Sequence, residues 1–194
     1  MNKRQSKKEH LLASGMEVMK LRGYQGTSVK DIVDVAGVPK GSFYNYFASK
    51  EAFVLEAIEK AASSSYANAE KTLLNTAKPP LERIVDFFQS GIDQACDSEF
   101  KHGCFLGNLT QEMSDTSDPI RLKLKAALNR VTALIAEVVE EVHPKQEGDA
   151  SELQPFIVAE FLFNAWEGAL MRAKATKNRE PFDAFLTMTR YILK

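Results

Sequence analysis

Residues Thr27 to Phe53 read TSVKDIVDVAGVPKGSFYNYFASKEAF, and this stretch decides the fold. Ser28 opens a short helical pattern. Its hydroxyl can accept the backbone N–H of Asp31 three residues on, and Asp31 stands where a capping box prefers the longer Glu. Val29, Ile32, Val33 and Ala36 recur at helical spacing, so one face is buried and Lys30 and Asp34 point away from it. Gly37 supplies a positive φ at no steric cost, which lets the chain reverse. Val38 plugs the turn, and Pro39 suits the first turn of a second short helix running to about Tyr46. Phe43 and Phe47, four apart, anchor that helix inward. Ser49 caps a third helix with Lys50 and Glu51 in its first turn. Two short helices joined by a tight turn form the helix-turn-helix pattern that presses one helix against DNA.

The outward side of the second helix carries chemistry suited to a duplex. Gly41 lets the backbone come close to a phosphate or base, and Lys40 and Ser42 can reach base edges or phosphates. Tyr44 can offer its ring to a thymine methyl or its hydroxyl to a phosphate. Asn45, Tyr46 and Lys50, with Ser28 and Lys30 on the first helix, complete the candidate DNA-binding set. The run resembles the DNA-binding signature of the TetR family of bacterial transcriptional regulators, over about the first sixty residues. Asn45 departs from the aromatic often found at its position in that family. The resemblance implies an all-α protein of about nine helices. A helix-turn-helix domain over residues 1–50 precedes an effector-binding and dimerisation domain over 51–194, and the partners are a double-stranded DNA operator and a second copy of the chain.

The overall charge of −1 hides an asymmetry. Residues 1–50 carry nine Lys or Arg against four Asp or Glu, while the remainder carries sixteen against twenty-two. A basic first quarter on an acidic body is what oriented docking on a polyanion needs. The basic leader MNKRQSKKEH either reaches DNA as a loose arm or stays solvated. No apolar run approaches the length of a membrane span, and the leader lacks the apolar stretch of a signal peptide, so cytoplasmic residence is expected. Cys96 and Cys104 show neither Cys-x-x-Cys spacing nor a nearby His cluster, which gives no basis for a zinc site. No cofactor is expected. His10, His102 and His143 sit in no recognisable dyad, so no catalytic site is assigned.

The rest of the chain is helical in pattern, with no sustained strand-type alternation. Leu11, Leu12, Gly15, Val18 and Met19 form the buried face of a first helix ending near Gly23. A long helix is expected from Ser49 to about Asn75, broken by Lys78-Pro79-Pro80. Another follows from the prolines to about Cys96, a short one from Cys104 to Met113, and a long one from Pro119 to His143-Pro144. After an acidic loop at 145–150, Ser151 is expected to cap a helix with Pro155 just inside, and a last helix begins near Pro181. These two terminal helices are apolar on several sides. They either finish the monomer core or form a four-helix bundle with a second copy, and the resemblance implies the bundle.

Phe88, Phe105, Trp166 and Lys174 are candidates to line an effector site, against ordinary core packing for each aromatic. Cys104 is the sharper case. It follows Gly103 at an expected helix N-terminus, with Lys101 and His102 just before it, and all of these favour a thiolate. The segment His102-Gly103-Cys104-Phe105-Leu106, with Asn108-Leu109 and Glu112, resembles a TetR-family branch that responds to electrophiles or oxidants through a cysteine. Glu167-Gly168-Ala169-Leu170 and Arg172-Ala173-Lys174 are similar to that branch too. The implied function is a repressor released by a small-molecule or electrophile inducer, or by modification of Cys104. A small buried hydrophobe at Cys104 stays open, as do a thiol-dependent enzyme and a ligand-sensing dimer that does not bind DNA.

Overall fold

The computed structural model describes residues 3–142 and 154–194. Among these it contains nine α-helices and no strand: α1 (Lys3–Arg22), α2 (Val29–Val35), α3 (Lys40–Tyr44), α4 (Lys50–Leu73), α5 (Pro80–Asp97), α6 (Phe105–Met113), α7 (Asp118–Val142), α8 (Pro155–Thr176) and α9 (Glu180–Ile192). The expected stop at His143-Pro144, the loop at 145–150 and the Ser151 cap lie outside the described residues. The chain divides into two compact units, one of residues 1–62 with 105–127, the other of 63–104 with 128–194. Residue 50, where the sequence suggests a domain boundary, is the first residue of α4, and that helix supplies residues to both units.

The ends of the short helices follow local chemistry. Ser28 Oγ accepts the Asp31 N–H at 3.1 Å, and the Asp31 carboxylate accepts the Ser28 N–H at 2.8 Å, so Asp completes the capping box despite its shorter reach. Gly37 takes φ +65°, a conformation that costs an ordinary L-residue roughly 1–2 kcal/mol. Pro39, expected inside the first turn, is instead the N-cap residue, its backbone extended at φ −61° and ψ 147°. α3 ends at Tyr44 rather than Tyr46, and its end is tightened by the Tyr46 N–H, which turns back three residues onto the Phe43 carbonyl at 3.0 Å. Ser49 caps α4 through the Ala52 N–H at 3.0 Å. The leader is helical from Lys3 onward, which removes the loose-arm reading for those residues.

In the first unit α1, α2, α3 and the start of α4 enclose an apolar centre of Leu11, Met19, Ile32, Phe43, Phe47 and Phe53, each at most 2% exposed. Phe43, Phe47 and Phe53 pack with ring centroids 5.0–5.7 Å apart. α1 comes close enough for this only because residue 15 is glycine. A Cβ there would lie 2.5 Å from the Phe53 ring and 2.9 Å from Ile32 Cγ2. His10 Nε2 lies 3.1 Å from the Ala36 carbonyl and ties α1 to the turn after α2. α6 joins this unit too. The Glu112 carboxylate accepts the Gln25 N–H at 3.0 Å, and Ser117, before α7, hydrogen-bonds Glu51.

In the second unit α5, α8 and α9 share an aromatic cluster. Phe88 meets Phe185 edge-on at 4.8 Å and Trp166 at 5.6 Å, and Trp166 stacks on Phe182 at 5.4 Å. Arg83 is 2% exposed yet charged. Its Nη1 donates to the Leu73 carbonyl at 2.9 Å, satisfying an orphan acceptor at the end of α4, and its guanidinium also pairs with Glu141 on α7.

The glycine contact yields a test. Gly15→Ala should lower stability by about 1–3 kcal/mol, the usual cost of forcing extra volume into a packed core. Urea denaturation followed by far-ultraviolet circular dichroism measures it. A midpoint equal to or above the parent's would show that the helix gain from alanine outweighs the clash, and that the close approach is not limiting.

Candidate nucleic-acid interface and thiol site

The α2–α3 unit presents its polar residues outward. Lys40, Gly41 and Asn45 are exposed, Tyr44 is 53% exposed, and Ser42 and Tyr46 are half-buried, while Phe43 between them is fully buried. α3 therefore rests on one aromatic anchor and turns its other side to solvent. Lys30 is exposed and pairs with Asp34 at 2.5 Å, which pushes the lysine pKa up. The Ser28 hydroxyl is held by Asp31, and the same hydrogen bond keeps the Asp31 carboxyl below the usual carboxylate range. Lys50 has an internal assignment: its Nζ donates to the Tyr24 carbonyl and lies 3.9 Å from the Tyr24 ring centroid. Partial burial lowers the Lys50 pKa. It braces the turn between α1 and α2.

The start of α1 lies beside the end of α3. Arg4, Gln5 and Lys8 with Asn45 and Tyr46 line a polar notch of about 330 Å³. Lys8 also pairs with Glu56 at 2.7 Å. Sequence reasoning treats the leader and the second helix separately, and only the helical course of α1 from Lys3 brings them together. The repeated Arg/Lys at 4 and 8, one helical turn apart, is the signal that could have found it.

Cys104 is the residue immediately before α6, as its sequence context suggests, and it is half-buried. Its neighbours differ from those the sequence suggests. Lys101 is exposed and pairs with Glu99 at 2.5 Å, while the Nδ1 of His102 is buried with no hydrogen-bond partner. The group that meets the thiol is a carboxyl: Cys104 hydrogen-bonds Glu167 on α8. Burial pushes the Glu167 pKa up, and the thiol's hydrogen bond draws it part of the way back. An acidic residue inside the apolar run from Trp166 to Leu170 is the sequence sign of this contact.

Of the other effector candidates, Phe88 and Trp166 pack together in the core of the second unit. Lys174 lies on α8, half-buried and two turns beyond Glu167. Phe105 is buried in the first unit. Cys96, near the end of α5, is half-buried against the core. Among the described residues no cluster of three or more His, Cys, Asp or Glu is arranged to hold a metal, and no helix is long and apolar enough to cross a membrane.

The outer side of α8 and α9 is apolar. Phe161, Met171, Met188 and Tyr191 are 51–70% exposed. Between the helices runs a groove of about 330 Å³ whose floor includes Ala165, Gly168 and Ala184. A Cβ on Gly168 would meet nothing within 4 Å.

Comparison with known proteins places these features in a family. Residues 11–57 match the model for bacterial regulatory proteins of the tetR family, and residues 80–189 match the tetracyclin repressor-like C-terminal domain. The chain is 35% identical over 182 residues to the HTH-type transcriptional repressor DhaR of Mycobacterium sp. (strain GP1), covering 93% of this chain and 89% of that one. It is 29% identical over 188 residues to the HTH-type transcriptional repressor NemR of Escherichia coli (strain K12), covering 96% and 93%. Among solved structures, regulatory protein TetR from Rhodobacter sphaeroides superposes with a TM-score of 0.85 at 31% identity, covering 93% of this chain and 95% of that one. The reduced form of E. coli NemR superposes at 0.82 and 29%, covering 96% of each. With a helix-turn-helix turned outward and both halves matched in order, the chain belongs to the TetR family of bacterial regulatory proteins and is a DNA-binding transcriptional regulator.

Proposed function

We propose that the protein is a homodimeric repressor that reads a pseudo-palindromic operator with α3 of each subunit and releases it when Cys104 is modified. The observation that carries the reading is the outward polar side of α3 over a buried Phe43. A five-residue helix set this way can lay Lys40, Gly41, Ser42 and Tyr44 along base edges in the major groove. Asn45 and Tyr46 at its end, with Arg4 and Lys8 from α1, offer a phosphate a basic notch that fixes register without reading sequence. Ser28 and Lys30 flank this surface from α2, and Lys50 supports it by bracing the Tyr24 turn. Repression rather than activation follows the two repressors named above.

A second copy is the occupant we assign to the α8–α9 face. Fully burying a large apolar side chain stabilises by about 1.5–3 kcal/mol, and four such side chains stand in solvent here beside a groove of small residues. Small floor residues let two helices approach closely, and an isologous two-fold contact would place two α3 helices on one duplex. For the signal, support comes from the place of Cys104 directly before α6 and from a relative whose solved structure is specified as reduced, a state that has an oxidised counterpart. The modifying agent is a small electrophile or oxidant. It shifts the equilibrium only by reacting with, or binding, the two conformations unequally.

Four outcomes are expected, read by fluorescence anisotropy on DNA from upstream of the protein's own gene. Tyr44→Ala should weaken operator binding by about 1–3 kcal/mol. Arg4→Ala should weaken operator and unrelated DNA alike and flatten the salt dependence by about one phosphate. Parental affinity in both variants would remove α3 and the notch from the interface. Met188→Asp should give a monomer by light scattering with roughly a hundredfold loss of operator affinity or more; a dimer of parental affinity would assign the α8–α9 face elsewhere. A mild electrophile should release the parent from DNA but not Cys104→Ser, and an unchanged response in that variant would rule the thiol out of the signal.

A further inference from the structure

Among the described residues, three that are not glycine adopt left-handed backbone: Glu99 at φ 51°, Phe100 at φ 55° and Lys177 at φ 54°. They meet at one place in the second unit. Lys177 ends α8, and its Nζ donates to the Phe100 carbonyl at 2.9 Å. Unlike Asn or Asp, these side chains gain nothing locally from this conformation, and each such residue lowers the weight of its conformer about five- to thirtyfold. Part of the arrangement is an ordinary helix end. The Glu99 N–H donates to the Cys96 carbonyl and the Phe100 N–H to the Ala95 carbonyl, both at 2.8 Å, which is the Schellman pattern closing α5. That pattern asks for one left-handed residue, and glycine serves there without strain. The second, at Phe100, is beyond its needs.

What holds Phe100 is tertiary. Its ring stacks on the fully buried Phe182 at 6.5 Å, and Phe182 stacks in turn on Trp166. The Lys177 hydrogen bond and the Lys101–Glu99 pair at 2.5 Å are exposed, and such contacts return little against water. Strain and restraint are therefore close to balance, the condition for a segment that opens without global unfolding. Its place in the chain gives opening a consequence. The chain leaves the second unit at Cys104 and re-enters the first with α6, so residues 101–104 form the link. Helical backbone of either hand advances about 1.5 Å per residue and extended backbone about 3.3 Å. Relaxing two residues to extended backbone would lengthen the link by about 4 Å, more than the hydrogen bond between Gln25 and Glu112 can stretch and survive. We propose that Glu99, Phe100 and Lys177 form a strained clasp. Closed, it keeps α6 on the α1–α2 turn in the operator-binding arrangement, and opening loosens that hold. The device needs the chain's DNA-binding role and not Cys104 as the sensor.

The test follows amide hydrogen exchange at residues 99–101 of the full-length protein by mass spectrometry at single-residue resolution, and operator affinity by fluorescence anisotropy on DNA from upstream of the protein's own gene. Glu99→Gly removes the Cβ cost of the closed form. It should raise protection of these amides about fivefold, the low end because glycine also gains freedom on opening. Lys177→Met keeps the stem but loses the donor. It should lower protection about two- to tenfold and operator affinity about twofold or more. Adding Glu99→Gly to Lys177→Met should restore both, a rescue that a merely damaged fold would not show. Unchanged or lower protection in Glu99→Gly would show that the turn carries no strain and would overturn the clasp. Altered protection with parental operator affinity in every variant would overturn its coupling to DNA while leaving the reading of α3 intact.

Discussion

The structure depends on three phenylalanine rings. A helix of five residues has almost no stability of its own, since forming its first turn costs more than its few hydrogen bonds return. What fixes the direction of α3 is Phe43 seated on Phe47 and Phe53, with the backbone of Gly15 pressed against Phe53 from α1. This contact sets which side of α3 is outside, and so which residues can meet a base. Tyr44 is exposed because Phe43 is buried.

The same compact unit contains more than the helix-turn-helix. Glu112, at the end of α6, holds the Gln25 N–H, and Ser117 holds Glu51 in the first turn of α4. Gln25 lies in the turn that Lys50 also grips through Tyr24. Cys104 is one peptide bond upstream of α6. A displacement of α6 along its axis would therefore be felt at a backbone N–H in the loop between α1 and α2. Packed elements of this kind switch between discrete arrangements rather than deforming smoothly.

Much of the fold was legible in sequence, because helical spacing and capping chemistry are local. Ser28, Gly37, Ser49 and the prolines at 80 and 155 mark helix ends through bonds that span at most four residues. The outward set at Lys40, Gly41, Tyr44 and Asn45 was equally legible once Phe43 and Phe47 were read as anchors. What escaped is long-range. The Cys104–Glu167 bond crosses sixty-odd residues, so the flanking Lys101 and His102 looked like the thiol's natural partners. Lys50 looked like part of the DNA-binding set because its contact with Tyr24 lies twenty-six residues back. Arg83 gave no sign of being buried, since its partners, the Leu73 carbonyl and Glu141, belong to other helices.

One feature of the aromatic cluster has a practical side. The chain has a single tryptophan, and it stacks on Phe182 and rests against Gly91 one residue before Glu167. Indole emission depends on the polarity and quenchers around the ring. The protein therefore carries its own optical gauge at the turn of α8 that faces the thiol, and light emitted there reports on that neighbourhood without any attached dye.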